Sequence, residues 1–224
     1  MSVLEREVQA SYGQGDDPLK TLIGMGVLIV LNENVVAEQS RVLTVIQSRN
    51  KPETRTIAGT TAIVQETLKL DERGQPELRT STLLGAMDEV MDSTDMHHVG
   101  VHFHRVIDEQ WLEVPLQSLP GKKAGLEVVI FDGPEDYGFY PGALHEVSGP
   151  PAWMTVKDIL QGANIRDTSR ELVTHAVETG MIRAGLNAYQ ERKTVPVFPR
   201  NHDFDGFRTI RDAKVDITSI TRKK

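Results

Sequence analysis

Cysteine is absent from the sequence, which excludes disulfide bonds, thiolate metal sites and cysteine nucleophiles. Long apolar runs are also missing, because the longest, at residues 27–31 with their neighbours, is far too short to cross a bilayer. Residues 1–20 carry charges from the fifth residue onward and lack the apolar core of a signal peptide. We therefore expect a cytoplasmic protein that has no membrane partner.

Basic residues are too few to indicate a nucleic-acid partner. The chain has 25 Lys and Arg residues against 32 Asp and Glu residues, and its formal net charge is -7. Binding to a phosphate backbone relies on clustered Lys and Arg side chains, and the basic run of this chain is the terminal TRKK. Aromatic residues make up 5% of the chain, so stacking platforms for single strands are not expected either.

What the sequence does contain is a series of strand patterns. Its 224 residues suffice for one large domain with a hydrophobic core. The segments LIGMGVLIVLN and RVLTVIQSRN are apolar and rich in β-branched residues, which predicts an antiparallel pair of strands. Alternation in TTAIVQETLKL predicts a third strand, and further strands are predicted in VGVHFHRVI, QWLEVPL and GLEVVIF, with LPGKKAG as a turn.

Three helices are predicted from apolar spacing and capping residues. Residues 81–92 form the first, with Ser81 or Thr82 as its cap. TVKDILQGA and TSRELVTHAVETG form the others, and each has a capping box, which begins at Thr155 or Thr168. The Gly- and Pro-rich stretch before them predicts a loop of the kind that surrounds a site. This order of strands and helices indicates an α+β fold with a mixed sheet between helical layers.

An acidic cluster of Asp88, Glu89 and Asp92 lies at the end of the helix predicted at 81–92. Asp88 and Asp92 share a helix face, whereas Glu89 is rotated by about 100° from Asp88. Carboxylates on one helix face can converge on a hard cation such as Mg²⁺, which takes oxygen ligands. The cluster therefore suggests a weak metal site, and the alternative is a solvated helix face.

Three segments resemble the Nudix hydrolase family. RVLTVIQSRNKPETRTIAG resembles the strand and following loop of the Nudix fold, ALHEVSGPPAWMTVKDIL resembles its later part, and NIRDTSRELVTHAV continues the match. The resemblance covers roughly residues 24–180. It implies an α/β/α sandwich with a mixed β-sheet, followed here by a C-terminal helix and an extended arm. It also implies Mg²⁺ as the cofactor, a nucleotide-like small molecule as the ligand and a homodimer as the assembly.

The resemblance fails at the catalytic signature of the family. That signature is a Gly and a Glu followed by Arg-Glu-apolar-any-Glu-Glu on a helix, whose carboxylates hold Mg²⁺ against a diphosphate. In this chain VQE stands where Pro-Gly-Gly is expected, and a neutral amide, Gln75, replaces an acid. With Glu89 in the first Glu-Glu position, Gly85 and Ala86 replace the Arg-Glu pair, and a shift by one residue does not restore it.

These departures predict a Nudix-like domain with a degenerate catalytic box. We expect it to bind a nucleotide-like small molecule or a partner, with hydrolysis lost or altered. A missing ligand or base weakens transition-state stabilisation by ~3–5 kcal/mol, so the rate falls by roughly 10²–10⁴ at each such position. The alternative within the family is an active Mg-dependent hydrolase of a nucleoside diphosphate derivative, and the sequence assigns no catalytic residue.

A second set of metal-ligand candidates resembles that of the cupins, which are small β-barrels holding a transition metal. It comprises His102, His104, Glu109 and His145. In a strand, His102 and His104 would point to the same face, as a shared metal ion requires. The alternative is that these histidines face solvent or a neighbouring strand.

We divide the chain into a polar N-terminal lead-in at residues 1–20, a Nudix-like domain at 21–185 and a C-terminal helix tail and arm at 186–224. The arm contains TVPVFPRNHDFDGF, which is too apolar for a free tail. It therefore packs on another copy of the chain or covers the chain's own core.

Overall fold

The structure is a computed structural model that describes residues 21–52, 55–67, 85–91, 100–107 and 112–197. Eight strands in this part of the chain form one sheet in the order β7-β2-β3-β1-β6-β4-β8, and β5 pairs with β6 outside this path. The strands are β1 (Leu22–Leu31), β2 (Arg41–Ile46), β3 (Thr61–Thr67), β4 (Phe103–Val106), β5 (Leu112–Pro115), β6 (Lys123–Phe131), β7 (Ala152–Thr155) and β8 (Thr194–Pro196). The lead-in at 1–20 and the cap predicted at Ser81 or Thr82 lie outside the described residues.

The parallel pair of β1 and β6 forms the centre of the sheet. Both strands are buried on both faces over most of their length. Because successive side chains of a strand point to opposite faces, each strand serves two cores. On β1, Val27 and Ile29 belong to one core cluster, whereas Leu28 and Val30 belong to the other. A strand of this kind needs a covering layer on each side.

Three helices cover the face of the sheet to which Leu28 and Val30 point. They are α1 (Val156–Gln161), α2 (Asp167–Glu178) and α3 (Met181–Gln190). Their apolar side chains belong to the same core cluster as Leu28. At Gly26 the helix layer is so close that an added Cβ would lie 2.6 Å from Cδ1 of Leu172. Glycine therefore allows α2 to pack directly on the central strand.

The two predicted capping boxes have different outcomes. Thr155 Oγ1 accepts the N–H of Asp158 at 3.0 Å, which confirms Thr155 as the cap of α1, and Asp158 Oδ2 accepts the Thr155 hydroxyl at 2.7 Å. The box predicted at Thr168 is wrong, because α2 already begins at Asp167. Its acid, Glu171, instead accepts the backbone N–H groups of residues 117 and 118 at 2.7 and 2.8 Å. Because of this tertiary contact, the Glu171 carboxylate does not cap the N-terminus of α2.

The opposite face of the sheet is covered by residues 85–91 and by the loop after β6. Residues 85–87 are helical and residues 88–90 form a turn. Ala86, Met87, Val90 and Met91 are fully buried and belong to the same core cluster as Val27. Helical residues therefore lie on both faces of a mixed sheet. The predicted α+β class and the α/β/α sandwich are confirmed.

The predicted strands are present, although their pairing differs in part. β1 and β2 are antiparallel as predicted, but their pairing consists of the single pair Val30 and Val42. β2 pairs more extensively with β3 and β7. The turn predicted at 119–125 ends earlier, because β6 begins at Lys123.

The start of the C-terminal arm belongs to the sheet. β8 pairs antiparallel with β4, and the N–H of Val197 donates to the carbonyl of Phe103 at 2.7 Å. Val197 also packs against the core cluster that contains Val27, so this portion of the arm covers the chain's own core. Residues 198–224 lie outside the described residues. α3 runs through residues 185 and 186, where the sequence-based division of the chain was placed.

Gly24 allows β1 to pair closely with β3. A Cβ at this position would lie 2.5 Å from the carbonyl oxygen of Glu66, a backbone atom that cannot rotate away. We expect Gly24→Ala to lower the free energy of unfolding by about 1–3 kcal/mol, the range typical of overpacking. Urea unfolding followed by circular dichroism measures this change.

Gly138→Ala is the matched control for Gly24→Ala. At Gly138 the nearest atom to an added Cβ is a ring carbon of Tyr140 at 3.7 Å, which is an ordinary contact. We expect little change in the free energy of unfolding of this control. Equal losses in the two variants would contradict the close backbone contact at Gly24.

Candidate functional site

Glu89 is buried although it belongs to the acidic cluster predicted as a metal site. Its side chain is 2% exposed, and Oε2 accepts the backbone N–H of Gln65 at 3.1 Å. Burial raises the pKa of Glu89 to about 8, while the Gln65 N–H and the charge of Lys51 act in the opposite direction. The carboxyl group is therefore predominantly protonated at neutral pH.

Charged side chains from three separate segments surround Glu89. Lys51 follows β2, Glu66 lies in β3 and Glu146 lies in the loop after β6; Lys51 lowers the pKa of Glu89, and the two acids raise it. Lys51 Nζ lies 3.0 Å from Glu146, and Arg49 Nη2 lies 2.8 Å from the same carboxylate. Burial opposes the charged form of Glu146, but Lys51 and Arg49 outweigh it and lower its pKa. Glu146 is therefore an ionised partner of two cations, whereas Glu89 is neutral.

Asp88 and Glu89 do not converge on one point. The carboxylate of Asp88 lies against the loop after β6, since a Cβ at Gly142 would be 2.3 Å from Asp88 Oδ1. Within the described residues there is no group of three or more His, Cys, Asp or Glu side chains that could hold a metal ion. Mg²⁺ needs several oxygen ligands around one point, so these two acids alone do not fit it. Asp92 lies outside the described residues, and the three-acid set stays a prediction.

A cavity of about 30 Å³ lies between the start of β1, the end of β3 and the start of α2. Its polar lining consists of Lys51, Gln65, Glu66, Thr67, Arg166 and Thr168. Thr67 is exposed, so the cavity reaches the surface beside it. The volume corresponds to about two water-sized groups. Because pockets for whole small molecules measure roughly 300 Å³ or more, this cavity can receive only a small chemical group.

The structure gives no support to the cupin-like alternative. The described sheet runs from β7 at one edge to β8 at the other and has helices on both faces, which is not a small barrel. The expectation that His102 and His104 share a strand face is wrong, because His102 ends a 3₁₀ turn before β4 begins. Nδ1 of His102 lies 2.7 Å from the carbonyl oxygen of Asp132.

The other cupin-like candidates do not join His102. The ring of His104 packs edge-on against Tyr189 with centroids 4.9 Å apart, and burial lowers the pKa of His104. His145 is exposed and lies beside the end of β2, where its carbonyl oxygen accepts the hydroxyl of Ser48 at 2.7 Å. β2 and β4 are separated in the sheet by β3, β1 and β6. Glu109 lies outside the described residues.

Several polar residues of this region were not singled out by sequence reasoning. They are Lys51, Gln65, Glu146, Arg166 and Thr168, of which only Thr168 was named before, as a helix cap, and they come from four separate parts of the chain. Their proximity is created by strand pairing and by the packing of α2, neither of which has a local sequence signal. The only local hint is the charged segment SRNKPETR, which begins within the predicted strand RVLTVIQSRN.

Among known proteins, only solved structures are similar to this chain. No family model matches the sequence. No curated protein matches it either. Among the described residues, no helix has the length and apolar character needed to span a membrane.

The solved structures similar to this chain include Nudix proteins. The NUDIX domain of Shewanella oneidensis NrtR complexed with ADP ribose is 14% identical, with 80% of this chain and 99% of that chain covered and a TM-score of 0.47. The MutT protein from Methanosarcina mazei Go1 is 16% identical, with 72% and 97% covered and a TM-score of 0.45. Shewanella oneidensis NrtR complexed with a 27mer DNA is 14% identical, with 71% and 63% covered and a TM-score of 0.38.

The family of these solved structures is the one that the sequence resembles. Their TM-scores lie below 0.5 and their identities do not exceed 16%, so the likeness says nothing about ligand, metal or reaction in this chain. The exclusion of nucleic acid, which was based on net charge, finds no support in these structures. That exclusion stays a prediction, as do the homodimer and the cytoplasmic location.

The raised pKa of Glu89 makes stability depend on pH. The folded pKa of about 8 lies above the ordinary value of 4.5, so the stabilising contribution of the protonated carboxyl is complete below pH 4.5 and is lost as the pH rises through 8. Glu89→Gln keeps an acceptor for the Gln65 N–H and cannot ionise. We expect the wild type to lose a few kcal/mol relative to this variant between about pH 5 and about pH 9, at ~1.4 kcal/mol per pKa unit.

Urea unfolding of both proteins across this pH range measures the difference. Glu178→Gln is the matched control, because Glu178 is exposed at the end of α2. We expect its difference from the wild type to change little with pH. A difference between the wild type and Glu89→Gln that is constant with pH would contradict the raised pKa of Glu89.

Proposed function

We propose that this chain is a Nudix-like domain that binds a nucleotide-like small molecule and in which metal-dependent hydrolysis is lost or altered. Hydrolysis of a diphosphate requires cations that neutralise the charge developing on the phosphoryl oxygens. Carboxylates must hold those cations in position. The proposal therefore depends on the state of the acids at residues 88–92.

The observation that carries the proposal is the neutral, buried Glu89. A metal ligand must be deprotonated when it binds, and burial raises the pKa of Glu89 to about 8 in the metal-free chain, which opposes deprotonation. Its Oε2 is occupied by the N–H of Gln65 on β3, so the side chain is directed into the sheet. The burial and this hydrogen bond favour Glu89 as a buried structural group of the sandwich over Glu89 as a metal ligand at the surface.

The two positions that align with the Arg-Glu pair of the family support the same conclusion. Gly85 and Ala86 are both buried, and Ala86 belongs to the core cluster together with Met87. An arginine and a glutamate at these positions would displace packed side chains of the core. Without them, and with Glu89 neutral, several contributions of roughly 10²–10⁴ each to the hydrolysis rate are missing.

The ligand part of the proposal has two supports. The resemblance of residues 24–180 to the Nudix family favours a nucleotide-like molecule. Arg49 and Lys51 supply positive charge next to Glu146, and Arg49 is exposed. An exposed arginine beside a second cation favours a ligand that carries phosphate groups.

The test uses the full chain and a panel of nucleoside diphosphate derivatives, with ADP-ribose among them. Binding is measured as a shift of the melting temperature, once with Mg²⁺ and once with EDTA. Phosphate products are measured in the same two buffers. We expect at least one member of the panel to raise the melting temperature equally in both buffers, with no Mg-dependent product above background.

Two results would contradict the proposal. Mg-dependent release of product that is abolished in Glu89→Gln and retained in Glu178→Gln would show an active metal-dependent hydrolase. A panel without any shift of the melting temperature would contradict the nucleotide-like ligand. Circular dichroism of each variant before the assay establishes that a loss of product is not a loss of folding.

A further inference from the structure

We propose that the cavity between α2, the start of β1 and the end of β3 binds one phosphoryl group without a metal ion. The ligand class is inorganic phosphate or the terminal phosphate of a small monoester. This site goes beyond the proposed function, because it requires neither a nucleoside nor the acids at residues 88–92. Its elements are a helix N-terminus, a buried hydroxyl and two cationic side chains.

The first element is the N-terminus of α2, a helix of 12 residues. The first hydrogen bond at this end joins the N–H of Arg170 to the carbonyl of Arg166 at 3.1 Å. The N–H groups of residues 167–169 precede it and have no acceptor within the helix. Within the described residues, no side chain caps this end. Free N–H groups and the positive end of the helix dipole favour an anion here.

The second element is Thr168, which points independently to a missing partner. Thr168 is 3% exposed, and its Oγ1 has no hydrogen-bond partner within the described part of the chain. Thr168 also lines the cavity. A buried hydroxyl without a partner is unfavourable, and an oxyanion in the cavity would accept its hydrogen. The neighbouring Ser169 is different, because its Oγ accepts the N–H of Ile63 at 3.2 Å and so docks α2 on β3.

The third element is the charge of the cavity walls. Lys51 and Arg166 line the cavity from opposite parts of the chain, and Arg166 is 9% exposed. Glu66 also lines it and opposes an anion, and Lys51 already contacts Glu146 at 3.0 Å. Arg49 offsets Glu146 from its other side at 2.8 Å. The cavity lining therefore carries two cations against one carboxylate, before the helix N-terminus with its acidic Asp167 is added.

The size of the cavity limits the ligand. About 30 Å³ admits about two of the oxygens of one phosphoryl group and excludes a sugar or a base. Thr67, an exposed residue, belongs to the lining, and we expect an ester substituent to extend on that side. A compact, highly charged group that forms several hydrogen bonds is the ligand that matches this combination.

Isothermal titration of the full chain with inorganic phosphate in EDTA tests the proposal, with methyl phosphate as the monoester probe. Thr168→Val removes the hydroxyl at nearly constant volume, and Arg166→Gln removes one cation. We expect phosphate to bind the wild type and each variant to bind it about tenfold more weakly, which corresponds to the loss of one charge-assisted hydrogen bond. Arg183→Gln, an exposed change of the same charge on α3, is expected to bind phosphate as the wild type does.

The outcomes separate cleanly. If methyl phosphate binds like phosphate, the site takes monoesters, and if phosphate alone binds, the site takes the free anion; both results support the proposal. Absence of phosphate binding to the wild type would overturn it, and so would equal weakening in Arg166→Gln and Arg183→Gln. Arg166→Gln can disturb the start of α2, so its melting curve is first compared with that of the wild type. If Arg166→Gln is unfolded, the phosphate affinity of Thr168→Val is the deciding measurement. If folded Thr168→Val binds phosphate as tightly as the wild type does, the cavity is not the binding site. This conclusion does not depend on the result of the nucleotide panel.

Discussion

The parallel pairing of β1 with β6 is the constraint on which the remaining structure depends. Both strands are apolar on both faces, so the sheet has to be covered on each side. Helices α1 to α3 provide one layer, and residues 85–91 with the loop after β6 provide the other. The need to bury Met87 and Val90 against the sheet fixes the rotation of this segment and carries Glu89 inward to β3.

This packing changes the chemistry of the acidic cluster. Asp88 and Glu89 are neighbours in sequence, but one faces the loop at Gly142 and the other faces the N–H of Gln65. Glu89 is therefore protonated and forms a buried hydrogen bond, because desolvation disfavours the carboxylate more than Lys51 favours it. Lys51 contacts Glu146 and also lines the cavity at α2. This arrangement differs from a metal ion held by helix carboxylates.

Local periodicity accounts for what the sequence predicted well. The strands, the cap at Thr155 and the sandwich architecture follow from apolar spacing and capping residues within single segments. The predictions that were wrong depended on distant contacts. Glu171 accepts N–H groups of the turn at 117–118 instead of capping its own helix. The antiparallel pairing of β1 with β2 is confirmed, although β2 pairs mainly with β3 and β7. The association of Lys51 with Glu146 is likewise a long-range contact, and no local pattern could have indicated it.

Glu89 is protonated in the folded protein at neutral pH, and the proposed loss of metal-dependent hydrolysis follows from this state. A ¹³C NMR titration of the Glu89 side-chain carboxyl, recorded with and without Mg²⁺, measures this state directly. We predict a midpoint near 8 that does not move when Mg²⁺ is added. A midpoint at or below the ordinary value of 4.5, or a shift to lower pH on addition of Mg²⁺, would contradict the account.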